Sequence, residues 1–182
     1  MAIYIALLRG INVSGQKLIK MDRLKEMFGT MPVRNVKTYI QSGNVVFTAD
    51  ETDTERLRLL IENKLREALG YVVDVVVRTK EELERAIAGN PFGGEEAAGE
   101  AKLYVSFLSE EPEPAAAERL AAMRSEVDEY RLVGCEAYIL CRERYGQSLF
   151  SNNFLEKKLG VLATTRNWRT ANKLAAMAAE QE

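Results

Sequence analysis

Hydrophobic and polar residues follow two periods along this chain, and their succession predicts most of its elements. Residues 2–8 form an apolar run stopped by Arg9, which predicts a buried strand. Met21, Leu24, Met27 and Phe28 then recur at helical spacing, with Asp22 in the first turn and Gly29 as the stop. Residues 35–40 and 43–47 read as two strands joined by a hairpin turn at Gln41-Ser42. Thr52 and Glu55 have the spacing of a capping box ahead of a helix to Leu69. Leu57, Leu60, Ile61, Leu65, Ala68 and Leu69 keep its apolar stripe, and Gly70 closes it. Residues 72–77 are a β-branched strand, with Val73, Val75 and Val77 on one face. This order, βαββαβ, is that of a ferredoxin-like unit.

A short helix is predicted over 80–88, followed by a linker rich in Gly and Pro over 89–99. The second half starts with a strand over 103–108 and an Ala-rich helix near 115–123 introduced by Pro112 and Pro114. A strand pair at 129–133 and 136–142, a helix at 148–159 ending at Gly160, and a final helix from Arg166 complete the chain. A terminal helix thus stands where a sixth strand would fall. The expected fold is α+β, with two ferredoxin-like βαββα halves packed together. The boundaries are 1–79 for the first half, 80–101 for helix and linker, and 102–182 for the second half with its terminal helix.

Composition narrows the chemistry. The 182 residues include no His, one Trp and two Cys. A Ser-His-Asp triad, a Cys-His pair and a His-ligated metal are therefore excluded within one chain, and two thiols cannot form a tetrathiolate zinc site. No metal and no cofactor is expected. Cys135 and Cys141 flank one strand about 20 Å long, too far apart to bridge each other, and read as reduced core residues of a cytoplasmic protein. No apolar run is long enough to span a bilayer, and no membrane partner is expected.

A net charge of −2 hides a strong asymmetry. Residues 1–48 carry +5 and residues 142–179 carry +5, whereas residues 49–141 carry −10. If the two basic ends meet in space, they make a local field that focuses anions.

Three polar motifs lie in these basic ends. The stretch Leu8-Arg9-Gly10-Ile11-Asn12-Val13-Ser14-Gly15-Gln16-Lys17 has the look of a phosphate loop. It is not a Walker A motif, because Gln16 separates Gly15 from Lys17 and Leu18 follows where Ser or Thr is needed. Arg9, Asn12 and Lys17, with backbone N–H groups ahead of a helix, still suit an anion. The second motif, Thr38-Tyr39-Ile40-Gln41-Ser42-Gly43-Asn44, offers the uncharged donors and acceptors Gln41, Ser42 and Asn44 on a hairpin. The third, Thr164-Thr165-Arg166-Asn167-Trp168-Arg169, reads as a helix N-terminus capped by Thr164 or Thr165. Its cations oppose the helix dipole, so Arg166, Asn167 and Arg169 are assigned to ligand binding.

Together with Asn90-Pro91-Phe92, these motifs resemble a bacterial family catalogued as domain of unknown function 1697. The resemblance spans nearly the whole chain in the same order. It implies a cytoplasmic α+β protein of ferredoxin-like halves, and no established activity, cofactor or catalytic residue.

Three functions stay open. The first is a binding module for a phosphate-bearing ligand, a nucleotide or single-stranded nucleic acid, in a basic polar cleft. RNA-recognition domains share the fold, and Tyr4 stands where their first strand carries an aromatic, although Asn44 and Val46 replace the aromatics of the third strand. The second is a metal-independent enzyme on a small anionic metabolite, with protons moved by Tyr39, Tyr145, Lys17 or a carboxylate. The third is a scaffold or homodimer in which the motifs only hold the halves together.

Overall fold

The computed structural model describes residues 1–94 and 101–181. Part of the predicted linker, residues 95–100, lies outside the described residues. Contacts divide the chain into two units, Met1–Glu84 with Lys173–Glu182, and Arg85–Asn172.

The first unit contains β1 (Ala2–Leu8), α1 (Met21–Gly29), β2 (Val33–Tyr39), β3 (Asn44–Ala49), α2 (Thr54–Leu69) and β4 (Val75–Thr79), and α3 (Lys80–Ala88) begins in it. Its antiparallel sheet has the order β2-β3-β1-β4, the ferredoxin-like arrangement. Alternation along β1 sends Tyr4, Ala6 and Leu8 to the side of Phe28, Leu57, Ile61 and Leu65. Full burial of side chains this large is worth roughly 1.5–3 kcal/mol each. Helix α2 is stopped as its ends require. Asp53, rather than Thr52, accepts hydrogen bonds from the N–H groups of Glu55 and Arg56, and Gly70 takes the left-handed conformation at φ 80°.

The second unit repeats the plan with β5 (Lys102–Leu108), α4 (Pro114–Ala122), β6 (Asp128–Val133), β7 (Glu136–Cys141), α5 (Asn152–Leu159), β8 (Ala163–Asn167) and the start of α6 (Trp168–Ala179). Its sheet order is β6-β7-β5-β8. The protein is thus α+β with two ferredoxin-like halves. Two sequence expectations fail in this half. Residues 163–167 form a strand, not the start of the last helix: Thr164, Thr165 and Asn167 are poor helix formers, and β5 offers an edge to pair with. Helix α5 starts at Asn152 rather than 148, where Ser151 accepts a hydrogen bond from the Phe154 N–H.

The central residues of each sheet's second face are buried as well, although Arg34 and Lys37 on β2 are exposed. Ile5, Leu7, Val46 and Val76 in the first unit, and Val105, Phe107, Tyr138 and Leu140 in the second, are all buried. Tyr4 is only 2% exposed, and its hydroxyl donates to the Glu51 carbonyl at 2.7 Å. It serves the core and presents no ring for a base to stack on.

Candidate functional site

Six of the nine residues singled out in the sequence cluster at one end of the first sheet, where the β1–α1 loop, the β2–β3 hairpin and the lead into β4 are knitted together. Where β1 ends, the Leu8 N–H donates to the Gly43 carbonyl and the Arg9 N–H to the Asp74 carbonyl, both at 2.9 Å. Asn12 ties the loop to the hairpin. Its Nδ2 donates to the carbonyls of Gln41 at 2.7 Å and Ile19 at 3.0 Å, and its Oδ1 accepts from the Ile19 N–H at 2.8 Å. Asn44 is fully buried, and its Nδ2 donates to the Tyr39 carbonyl at 2.9 Å and to Ser42 Oγ at 2.8 Å. These two amides hold backbone in place.

The remaining members differ in exposure. Lys17 and Gln41 are exposed, while Arg9 and Ser42 are half-buried. Lys17 Nζ donates to the Val72 carbonyl at 3.2 Å and lies 5.7 Å from the centre of the Tyr71 ring. Backbone strain concentrates here. Asn12, Ser14, Lys17 and Ile40 all have φ between 46° and 54°. Asn tolerates that region, but for a β-branched residue such as Ile40 it is a genuine outlier. Gly43 has no alternative. A Cβ on it, at φ 86°, would lie 2.6 Å from Ile11 Cδ1 and 2.9 Å from Leu8 Cβ.

The other three residues belong to the second unit, and the strand at 163–167 changes their parts. Arg166 lies on β8 opposite Val105 and is 6% exposed. Its guanidinium donates to Thr164 Oγ1 and to the Thr165 carbonyl, both at 2.9 Å, and burial pulls its pKa down to about 10. Asn167, rather than either threonine, caps α6 by accepting from the Thr170 N–H at 2.8 Å. Arg169 is exposed in the first turn of that helix.

The family profile described as Protein of unknown function (DUF1697) matches residues 1–138. The chain belongs to the DUF1697 family. No curated protein matches it. Among solved structures, this DUF1697 protein is similar to the conserved bacterial protein SP0830 from Streptococcus pneumoniae. The two share 19% identity over 97% of this chain and 98% of that one, with a TM-score of 0.71. That likeness bears on the fold.

The two halves of the DUF1697 chain are equivalent in backbone detail, which makes their differences informative. The Leu108 N–H donates to the Cys135 carbonyl and the Ser109 N–H to the Leu162 carbonyl, as Leu8 and Arg9 do in the first unit. Arg78 sits opposite Ile5 just as Arg166 sits opposite Val105. Arg78, also buried, escaped the sequence reading. The signal was there: an apolar or β-branched strand ending in Arg-Thr or Arg-Asn, with a capping residue three positions before a helical N–H. The loops then diverge. From β1 to α1 the chain uses twelve residues, Arg9–Lys20, with the cations Arg9, Lys17 and Lys20 and no acid. From β5 to α4 it uses five, Ser109–Glu113, with three Glu and no cation. The short acidic loop borders a cleft of about 480 Å³ whose wall also carries Arg119, Lys157 and Lys158. None of the nine candidate site residues lines that cleft.

Proposed function

We propose that this DUF1697 protein is a binding module for a phosphate-bearing ligand, a class that includes nucleotides and single-stranded nucleic acid, held at the loop end of its first unit. One observation carries the reading. The same strand-to-helix connection is made in five unstrained residues in the second unit, yet the first spends twelve, three of them non-glycine residues at positive φ. A left-handed residue costs roughly 1–2 kcal/mol, so this loop is not the cheapest closure of the fold. Strain of this kind is characteristic of ligand clamps. What the loop adds is cationic: Arg9, Lys17 and Lys20, beside the uncharged donors of Gln41 and Ser42. Such a set holds an anion well and moves protons poorly near neutral pH, which favours binding over turnover.

Fluorescence titration of the intact chain with nucleotides and short RNA at several salt concentrations tests the reading. Three contacts to a single strand give a slope of log K against log salt of about −2, and Lys17→Glu with Lys20→Glu flattens it. No salt-sensitive binding at micromolar protein would sink the reading.

A further inference from the structure

The loop end carries more than cations. Val13 is 57% exposed, Leu18 68%, Ile40 45% and Val72 56%. Among the described residues of the first unit, the other large exposed apolar side chains are Met1 and Leu59. Single exposed aliphatics need no explanation, but four on three linked segments do. The segments are held together by the bonds of Asn12 to Gln41 and of Lys17 to Val72. Val13 sits on the turn that pairs with Gln16, and Ile40 sits at the hairpin turn in a backbone conformation its branched side chain disfavours. Both therefore stand on exposed turns, and the β1–α1 loop that carries Val13 also carries Arg9, Lys17 and Lys20.

We infer that this end docks on an anionic phospholipid surface, with Val13, Leu18, Ile40 and Val72 entering the headgroup region and Arg9, Lys17 and Lys20 engaging the lipid phosphates. The inference rests on the phosphate reading above and names the source of the phosphate. Charge complementarity selects the occupant, since three cations and no acid line the β1–α1 loop. The apolar groups select it further. Bases stack on aromatic rings, and the ring next to Lys17, Tyr71, is half-buried and already covered by that ammonium. Exposed aliphatic side chains on loops that also carry exposed Lys17 and Lys20 match the interface between headgroups and acyl chains. No described helix is long and apolar enough to cross a membrane. That fact, and the sequence expectation of no membrane partner drawn from the same kind of evidence, bear on spanning a bilayer and not on resting at its surface.

Co-sedimentation of the intact chain with vesicles decides the matter. The probes are vesicles of phosphatidylcholine alone and of equal parts phosphatidylcholine and phosphatidylglycerol, each at low and high salt. Binding is expected to the anionic vesicles only, and to weaken with salt. Lys17→Glu with Lys20→Glu is expected to reduce partitioning at least about tenfold and to remove most of its salt dependence. Leu18→Ser with Ile40→Asn is expected to reduce it on the order of tenfold while leaving the salt dependence in place. Both pairs are at exposed positions, and circular dichroism checks that they fold. Absence of vesicle binding alongside salt-sensitive binding of RNA or nucleotides overturns the lipid inference and leaves the phosphate reading standing. Failure of all three probes overturns both. Vesicle binding unchanged in both variants overturns the assignment to this surface.

Discussion

Replacing Asn12 with Ala tests the claim that the loop end is a built structure rather than a slack connection. The substitution removes two donated hydrogen bonds, to Gln41 and Ile19 carbonyls, and one accepted from the Ile19 N–H. At about 1 kcal/mol net for each bond, the loss is roughly 3 kcal/mol. Asn12 also sits at φ 54°, where Ala is less at ease than Asn. That strain brings the expected cost to about 3–4 kcal/mol. Asn12→Gly loses the same bonds but relaxes the backbone, so it is expected to retain roughly 1 kcal/mol more stability than Ala. Asn12→Asp keeps an acceptor for Ile19 and places a carboxylate against two carbonyls, so it falls near Ala. Urea unfolding followed by circular dichroism measures all three, read as midpoint shifts at constant slope. A loss under about 1 kcal/mol for Ala, or an Ala variant more stable than Gly, refutes the reasoning.

Other outcomes follow from the same geometry. Ile40→Asn is expected to raise stability by about 0.5–1 kcal/mol in the same assay, because a half-exposed branched residue leaves a left-handed position that Asn accepts. Gly43→Ala is expected to cost at least about 2 kcal/mol through its clash with Ile11 and Leu8, and Ala at Gly70, whose Cβ would meet nothing, is expected to cost less. Glu129 is shielded from water, which would raise its pKa. The hydrogen bonds from Arg142 and Arg131 outweigh this and hold it below 4.5. The stability it contributes is therefore present above about pH 4.5 and lost as pH falls through the lowered folded value, and Glu129→Gln is expected to flatten the acid limb of an unfolding profile. Burial pushes the Cys141 thiol up to about 12, whereas Cys135 is half-buried in a turn. A thiol reagent at pH 8 is expected to label one cysteine fast and the other only on unfolding.

Much of the fold was legible because its signals are local. The apolar run of β1, the helical stripes of α1 and α2 and the closing Gly70 and Gly160 all act within a few residues. The strand β8 was not legible, because Ala163-Thr164-Thr165-Arg166-Asn167 has no alternation and becomes a strand only by pairing with β5. Its loss from the reading also hid the full equivalence of the halves. The cluster of Arg9, Asn12, Lys17, Gln41, Ser42 and Asn44 was legible as a set of polar residues. The split between latch and surface was not. Whether an asparagine amide meets a carbonyl or open water is decided by a loop that closes 29 residues away in the chain, as Asn12 does with Gln41. The exposed aliphatics were missed for a similar reason: apolar residues in loops read as ordinary until the structure leaves them uncovered.

The central claim is that a phosphate-bearing ligand docks on the loop end of the first unit. Amide chemical-shift mapping of the intact chain, with a short oligonucleotide, a nucleoside triphosphate and short-chain phosphatidylglycerol as separate probes, tests it most directly. The account predicts that at least one probe shifts the amides of Gly10, Gly15, Lys17, Gln41 and Gly43 in a saturable, salt-sensitive manner while those of Ser109–Glu113 stay still. Saturable shifts confined to Ser109–Glu113, or none with any probe, would contradict it.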